Sequence, residues 1–116
     1  VNSDQVRELA ASFPGAEEYD HGGRPSFRVH GRPRFASGLD ENGISLMPGE
    51  DAIREAVAEW PEICTEDWHG RRLVSVRVAY PRLPDAVVVE LVTEAWAHRA
   101  PARLVRAYKA RPAHEA

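Results

Sequence analysis

A single α+β domain is what this sequence predicts, and three observations carry the prediction. Apolar residues recur at helical spacing near the start, in the middle and toward the end of the chain, whereas between those stretches they alternate with polar residues over short runs. No internal repeat, low-complexity tract or linker divides the chain. Its 116 residues suffice to bury one core and are too few to share it between two, so residues 1–116 are read as one domain.

Val6, Leu9, Ala10 and Phe13 mark a first helix over residues 3–12, which Pro14-Gly15 stops. Ser26-Phe27-Arg28-Val29-His30 alternates, Gly31-Arg32-Pro33 interrupts, and Arg34-Phe35-Ala36-Ser37 resumes an extended pattern, which reads as a hairpin. Side chains alternate faces along a strand, so Phe27 and Val29 are expected in the core and Arg28 and His30 outside it. Asp40-Glu41-Asn42-Gly43 is a turn, and Ile44-Ser45-Leu46-Met47 a short strand before Pro48-Gly49. A second helix carries Ile53, Ala56, Val57 and Trp60 on its inner face; Glu50 and Asp51 sit in its first turn, where the helix dipole favours carboxylates, and Pro61 ends it. Ile63-Cys64-Thr65 reads as a short strand, residues 66–72 as a connecting loop, and Leu73 to Val78 as a strand. After Pro84, Val88, Leu91, Val92, Ala95 and Trp96 follow the helical period over a window longer than the strand-favouring run Val87-Val88-Val89. Pro101 opens a last short helix bearing Leu104, Val105 and Tyr108.

The formal net charge is -3, yet acids and bases are segregated along the chain. No acid stands between Asp20 and Asp40, where Arg24, Arg28, Arg32 and Arg34 fall, or between Asp67 and Asp85, where Arg71, Arg72, Arg77 and Arg82 fall. A third such segment after Glu94 holds Arg99, Arg103, Arg106, Lys109 and Arg111. The folded surface is therefore expected to be bipolar, unless arginine is simply the preferred surface cation, Lys109 being the only lysine. No apolar run approaches the roughly 20 residues needed to cross a bilayer. The first residues show no basic region followed by an apolar segment, so a soluble, cytoplasmic protein without a membrane partner is the expectation. The single Cys64 offers neither an internal disulfide nor a cysteine metal cage.

Several local signatures, in order and spacing, resemble the MmcQ/YjbR family. They are Phe13-Pro14-Gly15-Ala16-Glu17-Glu18, Gly23-Arg24-Pro25-Ser26-Phe27-Arg28-Val29 with Gly31, Trp68-His69-Gly70, Leu83-Pro84-Asp85, and Glu94-Ala95-Trp96 with the run from Arg99 to Val105. The resemblance covers nearly the whole chain and implies a CyaY-like α+β fold, an antiparallel sheet with helices packed on one face. It also implies DNA binding, with hairpin loops acting as paired wings. The matching positions are Arg28 and Arg32 on one hairpin and Arg71 and Arg72 before the long strand; Arg24 and Arg34 lie in the same acid-free segment and complete the candidate nucleic-acid contacts. Arginine suits that role because its planar fork bonds phosphate through two donors. An iron-binding acidic ridge, which the CyaY-like architecture raises, has only Asp4 and Glu8 on the first helix to draw on.

Catalytic chemistry is not recognisable. Gly22-Gly23 leads into no nucleotide-binding fingerprint, and there is no Walker lysine. Cys64 lacks a neighbouring base and reads as a small buried hydrophobe. His21, His30, His69, His98 and His114 show no paired metal-ligand spacing, so neither metal nor cofactor is expected. Trp60 and Trp96 fall on inward helical positions, whereas Trp68 beside His69 and Arg71 is either exposed to a partner or packed under its loop. The leading expectation is thus a non-enzymatic protein that binds nucleic acid, DNA more readily than RNA, through arginine-bearing hairpins. The alternatives are a small-molecule-binding or antibiotic-resistance protein with a pocket near His21, Trp68 and His69, and a protein-interaction adaptor, which requires an exposed apolar patch.

Overall fold

The computed structural model describes residues 1–112; His114 lies outside them. They form α1 (Ser3–Ser12), β1 (Ala16–His21), β2 (Arg24–Val29), β3 (Arg34–Ser37), β4 (Ile44–Leu46), α2 (Glu50–Glu59), β5 (Cys64–His69), β6 (Arg72–Val78), a 3-10 turn at Tyr80–Arg82, α3 (Asp85–Arg99) and α4 (Ala102–Lys109). The strands make one antiparallel sheet of order β1-β2-β3-β4-β6-β5, with the helices packed against it: an α+β fold.

Local chemistry explains the helix starts. Asn2 accepts from the Gln5 backbone N–H at 2.8 Å while Gln5 Oε1 accepts from the Asn2 N–H at 2.9 Å, a reciprocal box that satisfies two of the otherwise orphaned donors at the start of α1. Pro84 and Pro101 precede α3 and α4, where a missing N–H costs nothing.

Two stretches depart from the sequence reading. Ala16–His21 is a strand although its polar run Glu17-Glu18-Tyr19-Asp20 shows no apolar alternation; it pairs with β2 from Ala16 opposite Val29 to His21 opposite Arg24. Residues 66–72, expected as a loop, are corrected to the outer half of β5, a two-residue turn and the start of β6. The misread strands, β1 and β5, are the two edges of the sheet, where pairing rests on one backbone ladder and outward side chains are free to be polar.

The core lies between sheet and helices. Phe27 opposes Ala36, Ala36 opposes Leu46, and Leu46 opposes Val76, so one buried apolar row crosses the central strands. Val88, Val92, Ala95 and Trp96 of α3 belong to the same core. Trp96 is fully buried, stacks on Phe13 at 5.2 Å between ring centroids, meets Tyr108 of α4 edge-on at 5.0 Å, and donates its indole N–H to the Pro14 carbonyl at 3.1 Å. One side chain thus ties α1, α3 and α4 together. Trp96→Ala is expected to cost about 3–5 kcal/mol in urea unfolding, and Trp96→Phe clearly less because the ring contacts largely survive.

Candidate nucleic-acid interface

Strand direction places two hairpins at one end of the sheet. The strands alternate in direction, so the turn after β2 and the turn before β6 emerge together, on either side of β4. In the first turn the Arg32 N–H reaches the Val29 carbonyl at 2.9 Å, and Gly31 at φ 79° supplies the left-handed step. Pro33, which has no N–H for the ladder, sits in the turn just before β3. In the second, His69 opposes Arg72 across Gly70 and Arg71, with Gly70 at φ 62°.

Between the hairpins the sheet is notched. β4 ends at Leu46 and the chain departs through Met47-Pro48-Gly49 into α2, so β3 and β6 extend past it. There, on the face opposite the buried row Phe27-Ala36-Leu46-Val76, is a cleft of about 480 Å³. Its floor carries Ser37, Ser45 and Ser75, and its walls bring Arg28, Arg32 and Arg34 from the first hairpin together with Asp67 and His69 of β5. Arg99, the last residue of α3, also lines it. Arg71 and Arg72 border an adjoining depression that shares Arg99 and Val74 with the cleft.

The arginines differ in what they have left to offer. Arg28 donates to Glu17 at 2.8 Å and lies 4.3 Å above the Tyr19 ring, so it is engaged within the fold; the bond to Arg28 in turn holds the Glu17 carboxyl below its usual range. Arg24 stands at the opposite end of its strand, 3.4 Å from Asp40. Arg32, Arg34, Arg71, Arg72 and Arg99 have no carboxylate within ion-pair distance among the described residues. The Nε–H groups of Arg34 and Arg99 are also buried without an acceptor. Burial, then the neighbouring guanidiniums of Arg34 and Arg72, lower the pKa of Arg99 from the ordinary arginine value.

The ligand candidates separate as well. His69 lines the cleft; His21 does not, being exposed on edge strand β1 beside Tyr19. Trp68, 43 % exposed, opposes buried Leu73 after a bulge and so turns away from the cleft, with the Arg54 guanidinium 5.8 Å from its ring. Cys64 is buried, which pushes its thiol above the usual range. No group of three His, Cys, Asp or Glu able to hold a metal gathers among the described residues, and none of their helices is long and apolar enough to cross a membrane.

Sequence reasoning missed Arg99 as a site residue, and it missed the serines. A signal for the serines was present: Ser26, Ser37, Ser45 and Ser75 alternate with core residues on four strands, which marks a second sheet face lined by small polar groups. Comparison with protein-family models, with curated proteins and with solved structures finds no match.

At the far end of the same face, Asp40 binds the structure together. It accepts from the backbone N–H groups of Asn42 and Gly43, each at 2.9 Å, and from Arg77 at 3.1 Å. Burial alone raises its pKa, but those N–H groups with Arg77 and Arg24 outweigh it and hold the carboxyl below the usual range. A depressed folded pKa stabilises the fold above the unfolded value of roughly 4, and that stability is lost as pH falls through the folded value. Asp40→Asn is therefore expected to be less stable than the parent at neutral pH, with the gap closing in acid; urea unfolding at both pH values checks it, and a pH-independent gap refutes it.

Proposed function

We propose that this protein is a non-enzymatic nucleic-acid-binding module of the CyaY-like, MmcQ/YjbR kind, contacting the phosphate backbone of DNA through its two arginine-bearing hairpins. The carrying observation is the placement of the β2–β3 and β5–β6 hairpins at one end of the sheet, with Arg32, Arg34, Arg71 and Arg72 unneutralised and Arg99 between them. Dimensions support a duplex. The hairpin centres lie three strand spacings apart, about 14 Å at ~4.8 Å each. That is close to the roughly 12 Å width of the B-form major groove, whereas the A-form major groove of RNA is deep and narrow. Two wings of this spacing can rest on phosphates flanking one groove, and contacts of that sort carry little sequence information. The resemblance in local signatures points the same way. A small apolar ligand near His21 and Trp68 has less support, since neither residue borders the cleft.

The test is a titration of a short duplex by fluorescence anisotropy. With about four phosphates neutralised, affinity falls roughly a hundredfold between 50 and 200 mM salt. Replacing Arg32, Arg71 and Arg72 by glutamine lowers the slope of that dependence by roughly one unit per residue. Arg24→Gln, at the other end of the sheet, leaves binding unchanged. Absence of saturable binding at low salt, or a triple variant that binds like the parent, refutes the reading.

A further inference from the structure

We propose that the cleft on the open sheet face is a binding site for a phosphate monoester, held between the guanidinium groups of Arg34 and Arg99 above the hydroxyls of Ser37 and Ser45. This site lies in the cleft between the hairpins, takes Arg34 from the base of the first of them, and stands on observations that do not require the nucleic-acid reading.

Three observations carry it. Arg34 and Arg99 arrive from different elements, a strand and a helix end, and both line the same cleft. Each has a buried Nε–H with no acceptor, and neither has a carboxylate within ion-pair distance among the described residues. The floor beneath them is hydroxyl-bearing rather than apolar: Ser37 opposes Ser45, whereas Ser75 on the next strand donates its proton to the Asp67 carboxylate at 3.0 Å on the far wall of the cleft. A folded protein keeps buried donors paired, so two orphaned donors on like-charged neighbours mark a place where an anion completes the structure.

The geometry selects the kind of anion. A single carboxylate saturates one arginine fork with its two oxygens. A phosphate monoester has three terminal oxygens and close to two negative charges, enough to meet two forks and still accept from a serine hydroxyl. A diester inside a nucleic-acid strand has two such oxygens and sugars on both sides, which suits open hairpin tips better than a cleft walled by them. Engagement side-on requires each fork to turn its Nε edge into the cleft. The volume of about 480 Å³ leaves room for the organic part of the ester beside Tyr19, Pro33 and Met47.

Two sources share this chemistry, a small phosphorylated molecule and the 5′-phosphorylated end of a nucleic-acid strand. The experiment follows the Nε–H resonances of Arg34 and Arg99 in isotope-labelled full-length protein. The probes are inorganic phosphate, glycerol phosphate, and a tetranucleotide with and without a 5′-phosphate. Saturable shifts of both resonances are expected. Arg34→Lys and Arg99→Lys, which keep the charge and lose the fork, each weaken binding of inorganic phosphate about tenfold while remaining folded. Arg106→Gln, on the exposed side of α4 and outside the cleft lining, leaves phosphate affinity unchanged. Tighter binding of the phosphorylated tetranucleotide than of glycerol phosphate supports the site and assigns its source to a strand end; the reverse order supports it and assigns a small molecule. No saturable shift at tens of millimolar phosphate, or unaltered affinity in both lysine variants, overturns the proposal. Duplex binding without a phosphate response overturns this proposal alone, and a phosphate response without duplex binding overturns only the reading based on the hairpins.

Discussion

The early departure of β4 from the sheet is the constraint on which the rest of the molecule's surface depends. After Leu46 the chain reaches Pro48, which has no N–H to continue a ladder, and Gly49 at φ 98°, a conformation other residues rarely adopt. The strand stops where its neighbours go on. Gly49 then lies directly under His98, so close that a Cβ there would stand 2.9 Å from the imidazole Cε1. The end of α3 lies against the notch, with His98 over Gly49 and Arg99 lining the depressions on either side. A longer β4 would fill the notch, and a side chain at position 49 would be strained at that φ and would push the exposed His98 ring aside.

Convergence of Arg34, Arg72 and Arg99 works against stability. Like charges repel, and the two buried, unpaired Nε–H groups each forfeit a hydrogen bond. The opposite end of the sheet behaves differently: there Arg24 and Arg77 converge on Asp40, and the Tyr80 hydroxyl donates to the Asp40 carbonyl at 2.7 Å. One end is closed on itself, and the other holds unspent positive charge. The cost at the open end is offset by the burial of the Trp96 cluster and of the apolar row across the sheet. A protein whose net charge is negative thus carries a local surface fit for anions.

Much of the fold was legible because burial writes a period into the sequence. Phe27 and Val29 against Arg28 and His30, or Val88, Val92 and Trp96 along α3, follow strand or helix spacing and occupy the faces that spacing assigns. β1 and the outer part of β5 were not legible, since an edge strand is held by backbone bonds that leave little trace in side-chain type. The site was legible in half. Acid-free segments picked out the hairpin arginines, but pairing is a tertiary matter: Glu17 answers Arg28 across the first hairpin, and Asp40 takes Arg24. Arg99 is remote in sequence from both hairpins and joins them only through the packing of α3. No local pattern could have assigned it.

The central claim is that the two hairpins and the end of α3 act as one anion-accepting surface. Mapping backbone amide shifts on titration with a short DNA duplex at low salt tests it most directly. The account predicts shifts concentrated in residues 30–34, 69–72 and 98–99 that saturate together with a single affinity. Shifts confined to one hairpin, centred on α1 or α2, or saturating at different concentrations for the two hairpins would contradict it.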